Sequence, residues 1–185
     1  MTRFGTFPPP WFTLPLVDDT TKLLFCPIPK NSKTQFLALF CARRHPTYLQ
    51  GSAVNLQKVH GSNACMQGMP LYRESVHSKL WSNNRWNKWA VVRDPLDRFL
   101  SGYLDRCVRR KVFCYQCPEH DVACFIRNNY LYLQSLAKCG LYGTPPNDGD
   151  SRNQETHFYP QSWFCDFSRH LSSYKLFYYN RTEAY

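Results

Sequence analysis

LLFCPIPKNSKTQFLALF, residues 23–40, begins as a short apolar run, passes through two prolines, two lysines and small polar residues, and ends as a second apolar segment. A run such as Leu23, Leu24, Phe25 and Cys26, with no polar alternation, is what a strand buried on both faces of a parallel sheet requires. Pro27 and Pro29 lack a backbone donor and end it. Over residues 34–44, Phe36, Leu37, Phe40 and Cys41 fall on one helical face, and Arg43 and Arg44 suit the negative end of a helix dipole. Strand, loop and helix therefore follow in order, with Lys30, Asn31, Ser32, Lys33 and Thr34 in the connection. Such a loop presents free backbone N–H groups and the positive end of a dipole to an anion; an exposed strand-to-helix turn carries the same local signals. The stretch holds no glycine, so the G-x-x-x-x-G-K-[ST] loop of nucleotide hydrolases is absent.

A second unit of the same kind is VVRDPLDRFLSGY, residues 91–103. Trp89, Ala90, Val91 and Val92 read as a strand, Asp94 as a helix N-cap and Pro95 as the first helical residue. Leu96, Phe99, Leu100, Tyr103, Leu104 and Cys107 form an apolar stripe. At about 100° per residue, Asp94, Asp97, Arg98, Ser101 and Asp105 share the opposite, polar face. Arg93 falls at the C-terminal edge of its strand, where open α/β sheets bind ligands. With Ser101 two turns up the helix it can hold one phosphate, or it can pair with a neighbouring carboxylate while Ser101 stays solvated. Two strand-loop-helix units on one chain predict an α/β core with a parallel sheet.

Outward from these units the pattern weakens. Residues 1–20, with Pro8, Pro9 and Pro10, read as an extended lead-in, leaving residues 21–185 as a single domain. Residues 45–85 show no sustained period and are expected to be loop with one short helix near 71–81. A helix is predicted over 118–137 from Val122, Phe125, Ile126, Leu133 and Leu136, and a loop over 143–150. Residues 174–179 read as a strand. A parallel strand is seldom the natural end of such a domain, so the chain is expected to be incomplete there. The longest apolar runs, 23–28 and 36–41, are far too short to cross a bilayer, and no basic region precedes a signal-like segment; a soluble chain is expected.

Twenty-three Lys and Arg against thirteen Asp and Glu give a formal charge of +10, which favours polyanionic partners without choosing among them. Nine cysteines are many for a cytosolic protein, suit an oxidising compartment, and by their odd number leave at least one unpaired. Cys107, Cys114, Cys117 and Cys124 lie near His120, but a structural zinc site usually takes two paired motifs and only one C-x-x-C is present. Disulfides that staple a loop between two helices are the better expectation. Asn180, Arg181 and Thr182 form a glycosylation sequon, which has meaning only on a secretory route.

Taken together, the Pro-Lys-x-x-x-Thr loop after the first strand and Arg-Asp-Pro-x-x-Arg-x-x-Ser-x-Tyr after a later one resemble the two cofactor motifs of Golgi carbohydrate sulfotransferases. The similar branch contains chondroitin 4-O- and uronyl 2-O-sulfotransferases. The resemblance covers residues 22–110 and, more weakly, 153–165, where HFYPQSWFC is similar to a His-aromatic segment of the family. It implies a P-loop-like, three-layer α/β core that binds 3′-phosphoadenosine 5′-phosphosulfate (PAPS) and transfers its sulfate to a hydroxyl of a glycosaminoglycan such as chondroitin. It implies further that Lys30, Asn31, Ser32, Lys33 and Thr34 hold the 5′-phosphosulfate and that Arg93 and Ser101 hold the 3′-phosphate. Asn31 and Lys33 depart from the family pattern, which favours an aliphatic residue and a small residue or cysteine at those positions.

Sulfuryl transfer needs a base for the acceptor hydroxyl and a cation for the departing phosphate. Lys30 suits the cationic role. The family places a histidine between its two motifs, which implies His60, in VHGS at 59–62, as the base, with His77 in reserve. No metal is required, the partner implied is an acidic glycan rather than nucleic acid, and the location implied is the Golgi, with a membrane anchor that this chain lacks. Two rivals predict different behaviour: a basic module that captures polyanions without chemistry, and a truncated relative that binds PAPS without turnover.

Overall fold

The structure, a computed structural model, describes residues 15–44, 80, 83–112, 114–138, 156–165 and 167–179. Four strands form one sheet in the order β1 (Leu16–Asp18), β2 (Leu23–Cys26), β3 (Asn87–Val92) and β4 (Tyr174–Tyr178). β2 with β3 and β3 with β4 are parallel, whereas β1 runs antiparallel to β2, with Leu16 opposite Phe25. The sheet is therefore mostly parallel, and its edge strand lies inside the residues expected to be lead-in. A three-residue strand is too short to carry a period. Asp18 closes the turn that follows, accepting from the Thr20 N–H at 3.0 Å and the Thr21 hydroxyl at 2.6 Å, as short acidic side chains do in turns.

β2 alternates between the two faces. Phe25 joins Leu16, Val91 and the inner face of helix α1 (Lys33–Arg44), namely Leu37, Ala38 and Phe40, while Leu24 and Cys26 join Val17, Ala90, Tyr159, Phe164 and Tyr174 on the other side. Apolar cover on both faces explains the unbroken apolar run. Helix α2 (Pro95–Tyr103) follows β3 and runs on as a π-helical segment, Leu104–Arg109. Asp94 caps α2 by accepting from the N–H groups of Leu96 and Asp97 at 2.9 and 3.0 Å. Helix α3 (Val122–Lys138) then packs Phe125 against Tyr103, Cys107 and Phe158. Short helical turns, Gln161–Trp163, α4 (Phe167–His170) and Leu171–Ser173, lead into β4.

The amphipathic reading of α2 needs correction. Phe99, Tyr103 and Cys107 do pack inward, but Leu96, Leu100 and Leu104 are 66%, 42% and 44% exposed, while Arg98 on the supposedly solvated face is buried. Buried backbone carbonyls beneath this helix need donors, and Arg98 supplies them. Disulfides join Cys107 to Cys114 and Cys117 to Cys124, stapling the connection between α2 and α3 as expected, and Cys26 to Cys165 across the core; Cys41 is disulfide-bonded as well. Of the helix expected near 71–81, only Leu80, helical and buried, falls among the described residues. The loop at 143–150 and the sequon at Asn180 lie outside them. No helix among the described residues is long and apolar enough to cross a membrane.

Candidate active site

Beyond Cys26 the chain turns tightly: Ile28 N–H donates to Cys26 O at 3.0 Å and Asn31 N–H to Ile28 O at 3.2 Å. Lys30 and Ser32 adopt left-handed backbone conformations, with φ of 67° and 59°. Only glycine takes that conformation without strain, so the glycine-free loop stores about 1–2 kcal/mol at each of the two positions. Strain of this size persists only where the surroundings hold the loop. Arg98 does so from below: its Nε donates to Pro29 O at 2.9 Å, Nη1 to Tyr159 O at 2.8 Å and Nη2 to Thr156 O at 3.4 Å. Desolvation, helped by the charge of Arg93, lowers the pKa of Arg98 to about 10, which still leaves it cationic at neutral pH.

At the end of β3, Arg93 turns its guanidinium toward this loop. Nη1 donates to Lys30 O at 3.2 Å, the group lies 4.9 Å from the centre of the Tyr179 ring, and the buried Nε has no hydrogen-bond acceptor among the described residues. A cleft of about 520 Å³ opens here at the C-terminal ends of β2 and β3, and Lys30, Ser32, Lys33, Thr34, Arg93 and Ser101 all line it. The first turn of α1, whose N–H groups have no acceptor within the helix, forms part of its wall. Asp105, Arg106, Arg110 and His157 complete the opposite side.

Asn31 behaves differently from its neighbours. It is 1% exposed, it does not line the cleft, and its side-chain amide donates to Val91 O at 2.7 Å and to Gln161 Oε1 at 2.5 Å. Expected among the phosphosulfate ligands, it instead supports the loop from beneath, because its backbone N–H and its side-chain N–H groups, the donors an anion would need, are committed to Ile28, Val91 and Gln161.

The charges of the cleft are unbalanced. The Asp105 carboxylate accepts from Lys30 Nζ and from Arg110 Nε, the latter at 3.1 Å, and lies 3.9 Å from Arg106 Nε. Burial opposes its ionisation, but the Lys30 hydrogen bond and the charges of Lys30, Arg110 and Arg106 outweigh burial and hold its pKa below the usual carboxylate value. For Lys30, desolvation exceeds the help from Asp105 and lowers the lysine pKa. Lys33 is lowered too, by desolvation and then by Arg106, and it forms no ion pair with a described carboxylate. Among the described residues, one carboxylate facing several cations, an Arg93 Nε without an acceptor and a helix N-terminus in one cavity fit a ligand with two separate anionic groups.

Two features of the cleft were not assigned from the sequence, although His157 begins the HFYPQSWFC segment singled out there. His157 lines the cleft, with Arg106 Nη2 3.1 Å from its Nε2 and 3.4 Å from its Nδ1. The π-helical segment lets Arg110 reach Asp105 five residues back, a spacing that an α-helix does not pair. His60 and His77 lie outside the described residues. Among those residues no group of three or more His, Cys, Asp or Glu is placed to hold a metal ion.

The model of the sulfotransferase family matches residues 15–184, nearly the whole chain and both walls of the cleft. The chain belongs to the sulfotransferase family. Among curated relatives, this sulfotransferase-family chain is 26% identical over 167 residues to an uncharacterized protein of Caenorhabditis elegans, C18B2.2, covering 86% of the chain and 45% of that relative. It is 26% identical over 132 residues to carbohydrate sulfotransferase 10 of Xenopus laevis, covering 68% of the chain and 34% of the relative. Carbohydrate sulfotransferase chst-1 of C. elegans is 26% identical over 102 residues, 51% of the chain and 29% of the relative. The chain thus spans less than half the length of each of these three. No solved structure matches it.

Proposed function

We propose that this sulfotransferase-family domain binds PAPS in the cleft and transfers its sulfate to a hydroxyl of an acidic glycan, in the manner of a glycosaminoglycan sulfotransferase of the Golgi lumen. The observation that carries the reading is the meeting of two distant motifs: Lys30, Ser32, Lys33 and Thr34 from one, Arg93 and Ser101 from the other, on one cavity. The strand-loop-helix around Lys30 serves as a P-loop-like anion cradle in which left-handed Lys30 and Ser32 take the place of glycine. PAPS, when bound, supplies the sulfuryl group. Lys30, Ser32, Thr34 and the N-terminus of α1 hold the 5′ side, and Lys30 steadies the negative charge that develops on the departing phosphate. Arg93 and Ser101 hold the 3′-phosphate, and the orphaned Arg93 Nε gains its acceptor there.

His60 serves as the base that takes the acceptor proton. A second assignment, His157, is favoured by its place in the cleft with Lys30. The basic surplus of the chain draws in both the cofactor and a polyanionic acceptor. The same resemblance that suggests the Golgi also suggests an N-terminal membrane anchor on the whole protein.

Calorimetry with 3′-phosphoadenosine 5′-phosphate, the desulfated product, tests the cofactor reading. Wild type is expected to bind, and Arg93→Ala to bind at least about tenfold more weakly, the scale of a lost charge-assisted bidentate contact. Absence of binding by the wild type would sink the assignment and leave the non-catalytic polyanion module in its place. Sulfate transfer from PAPS to chondroitin, measured in wild type, His60→Ala and His157→Ala, separates a truncated relative without turnover from an enzyme and identifies the base.

A further inference from the structure

The ladder between β3 and β4 ends at Val92, which pairs with Tyr178 and accepts the Tyr179 N–H at 2.8 Å. Arg93 is the next residue, so its backbone lies just past the sheet that would hold it. A side chain takes over. Gln161 Oε1 accepts the Arg93 N–H at 3.1 Å, and Gln161 Nε2 donates to Arg93 O at 2.8 Å. These are the two bonds that a neighbouring strand would make with one residue, supplied here by one amide.

The same Oε1 accepts from Asn31 Nδ2, which also donates to Val91 O. Asn31 sits between Lys30 and Ser32, the two left-handed residues of the loop. One amide thus touches the backbone that carries Arg93 and the residue at the centre of the Lys30 loop, while Gln161 itself does not line the cleft. Its segment is pinned nearby, since Cys165 is bonded to Cys26 and Arg98 holds Tyr159 O.

We propose that Gln161 is a positioning residue that fixes the two anion-binding halves of the cleft relative to each other, acting through the Arg93 backbone and Asn31. The inference rests on the reading of the cleft as a PAPS site. It requires an amide specifically. Arg93 N–H and Asn31 Nδ2 need an acceptor and Arg93 O needs a donor, so a carboxylate of the same shape sets oxygen against oxygen at Arg93 O.

The test is a double-mutant cycle read by calorimetry with 3′-phosphoadenosine 5′-phosphate, with circular dichroism and thermal melts to establish that each variant is folded. Gln161→Leu and the isosteric Gln161→Glu are both expected to weaken binding by about tenfold or more, as a misplaced ligand group does. In an Arg93→Ala background, Gln161→Leu is expected to change affinity by less than about threefold, because one of the two halves it holds in register no longer carries its anion-binding side chain. A merely structural role would give the same fold-loss in both backgrounds. Equal losses in both, or wild-type affinity in Gln161→Leu and Gln161→Glu, would overturn the inference while leaving the cofactor reading intact; failure of the wild type to bind would overturn both.

Discussion

Replacing Cys26 and Cys165 together by alanine measures how far the cleft depends on one long cross-link. The bond joins residues 139 apart in sequence and ties the last residue of β2 to the segment that carries His157 and Gln161. Closing a loop of that length removes enough chain entropy from the unfolded state to contribute about 5 kcal/mol, against about 2.4 kcal/mol for a bond such as Cys117–Cys124, whose separation is 7. The two short staples lie inside the long loop, and shortening it by about a dozen residues hardly moves a logarithm; the bond made by Cys41 also falls within it and shortens it further, so about 5 kcal/mol is the ceiling for the long bond. Both long-bond sulfurs are buried, at 0% and 1% exposure, so their removal leaves a void worth about 1 kcal/mol more. A domain has about 5–15 kcal/mol in total, and the long bond is a large part of that margin.

Urea unfolding followed by far-ultraviolet circular dichroism, without reductant, is expected to show Cys26→Ala/Cys165→Ala losing about twice as much stability as Cys117→Ala/Cys124→Ala. Under conditions where both are folded, the first should bind 3′-phosphoadenosine 5′-phosphate several-fold more weakly and the second normally. Equal stability losses, or a long-bond cost below about 2 kcal/mol, would refute the entropic reasoning; undiminished affinity would refute the view that the cross-link braces the cleft.

Other perturbations act on single groups. Asp105→Asn removes the carboxylate that occupies Lys30 and is expected to raise affinity for the same nucleotide several-fold while costing about 1 kcal/mol of stability at neutral pH. Since the folded pKa of Asp105 is depressed, its stabilisation is present above the ordinary carboxylate pKa and lost as pH falls through the depressed value, so the melting difference between wild type and Asp105→Asn should close in strong acid. Lys33→Met is expected to raise stability by about 1 kcal/mol and weaken nucleotide binding, the usual exchange at a functional site. Its sign with pH is opposite to that of Asp105. The folded lysine pKa is lowered, so the cost of the charge is complete below it and relieved as pH rises toward the unfolded value, and the advantage of Lys33→Met should fade in alkali. Gly102→Ala would bring a methyl to 2.9 Å from Phe158 Cε1 and is expected to lower stability by about 1–3 kcal/mol in a thermal melt.

Much of the framework was legible because it is local. The apolar run at 23–26, the helix that follows Lys33, and Asp94 with Pro95 at the head of α2 each depend on residues a few positions apart, and each formed as expected. The β1 strand was missed because three residues carry no period, and the outward side of α2 because leucine spacing alone does not say which face a sheet will meet. Arg98 shows the difference most clearly. On a helical wheel it is one more polar residue, yet in the fold it is buried and bonded to three carbonyls from residues 29, 156 and 159.

By itself, the sequence determined that two strand-loop-helix units exist and that each presents cations at the place where a sheet binds anions. Only the tertiary structure decided which of those residues share a cavity. Lys30 and Arg93 meet because β2 and β3 are parallel neighbours; the Asn31 side chain turns to Val91 and Gln161 and not to the cleft; and Gln161 bonds the backbone of Arg93, just past the end of the ladder. The physical reason is the same in each case. Periodicity and capping are settled within a turn or two of chain, whereas a buried polar group takes its partner from whatever the fold brings within about 3 Å.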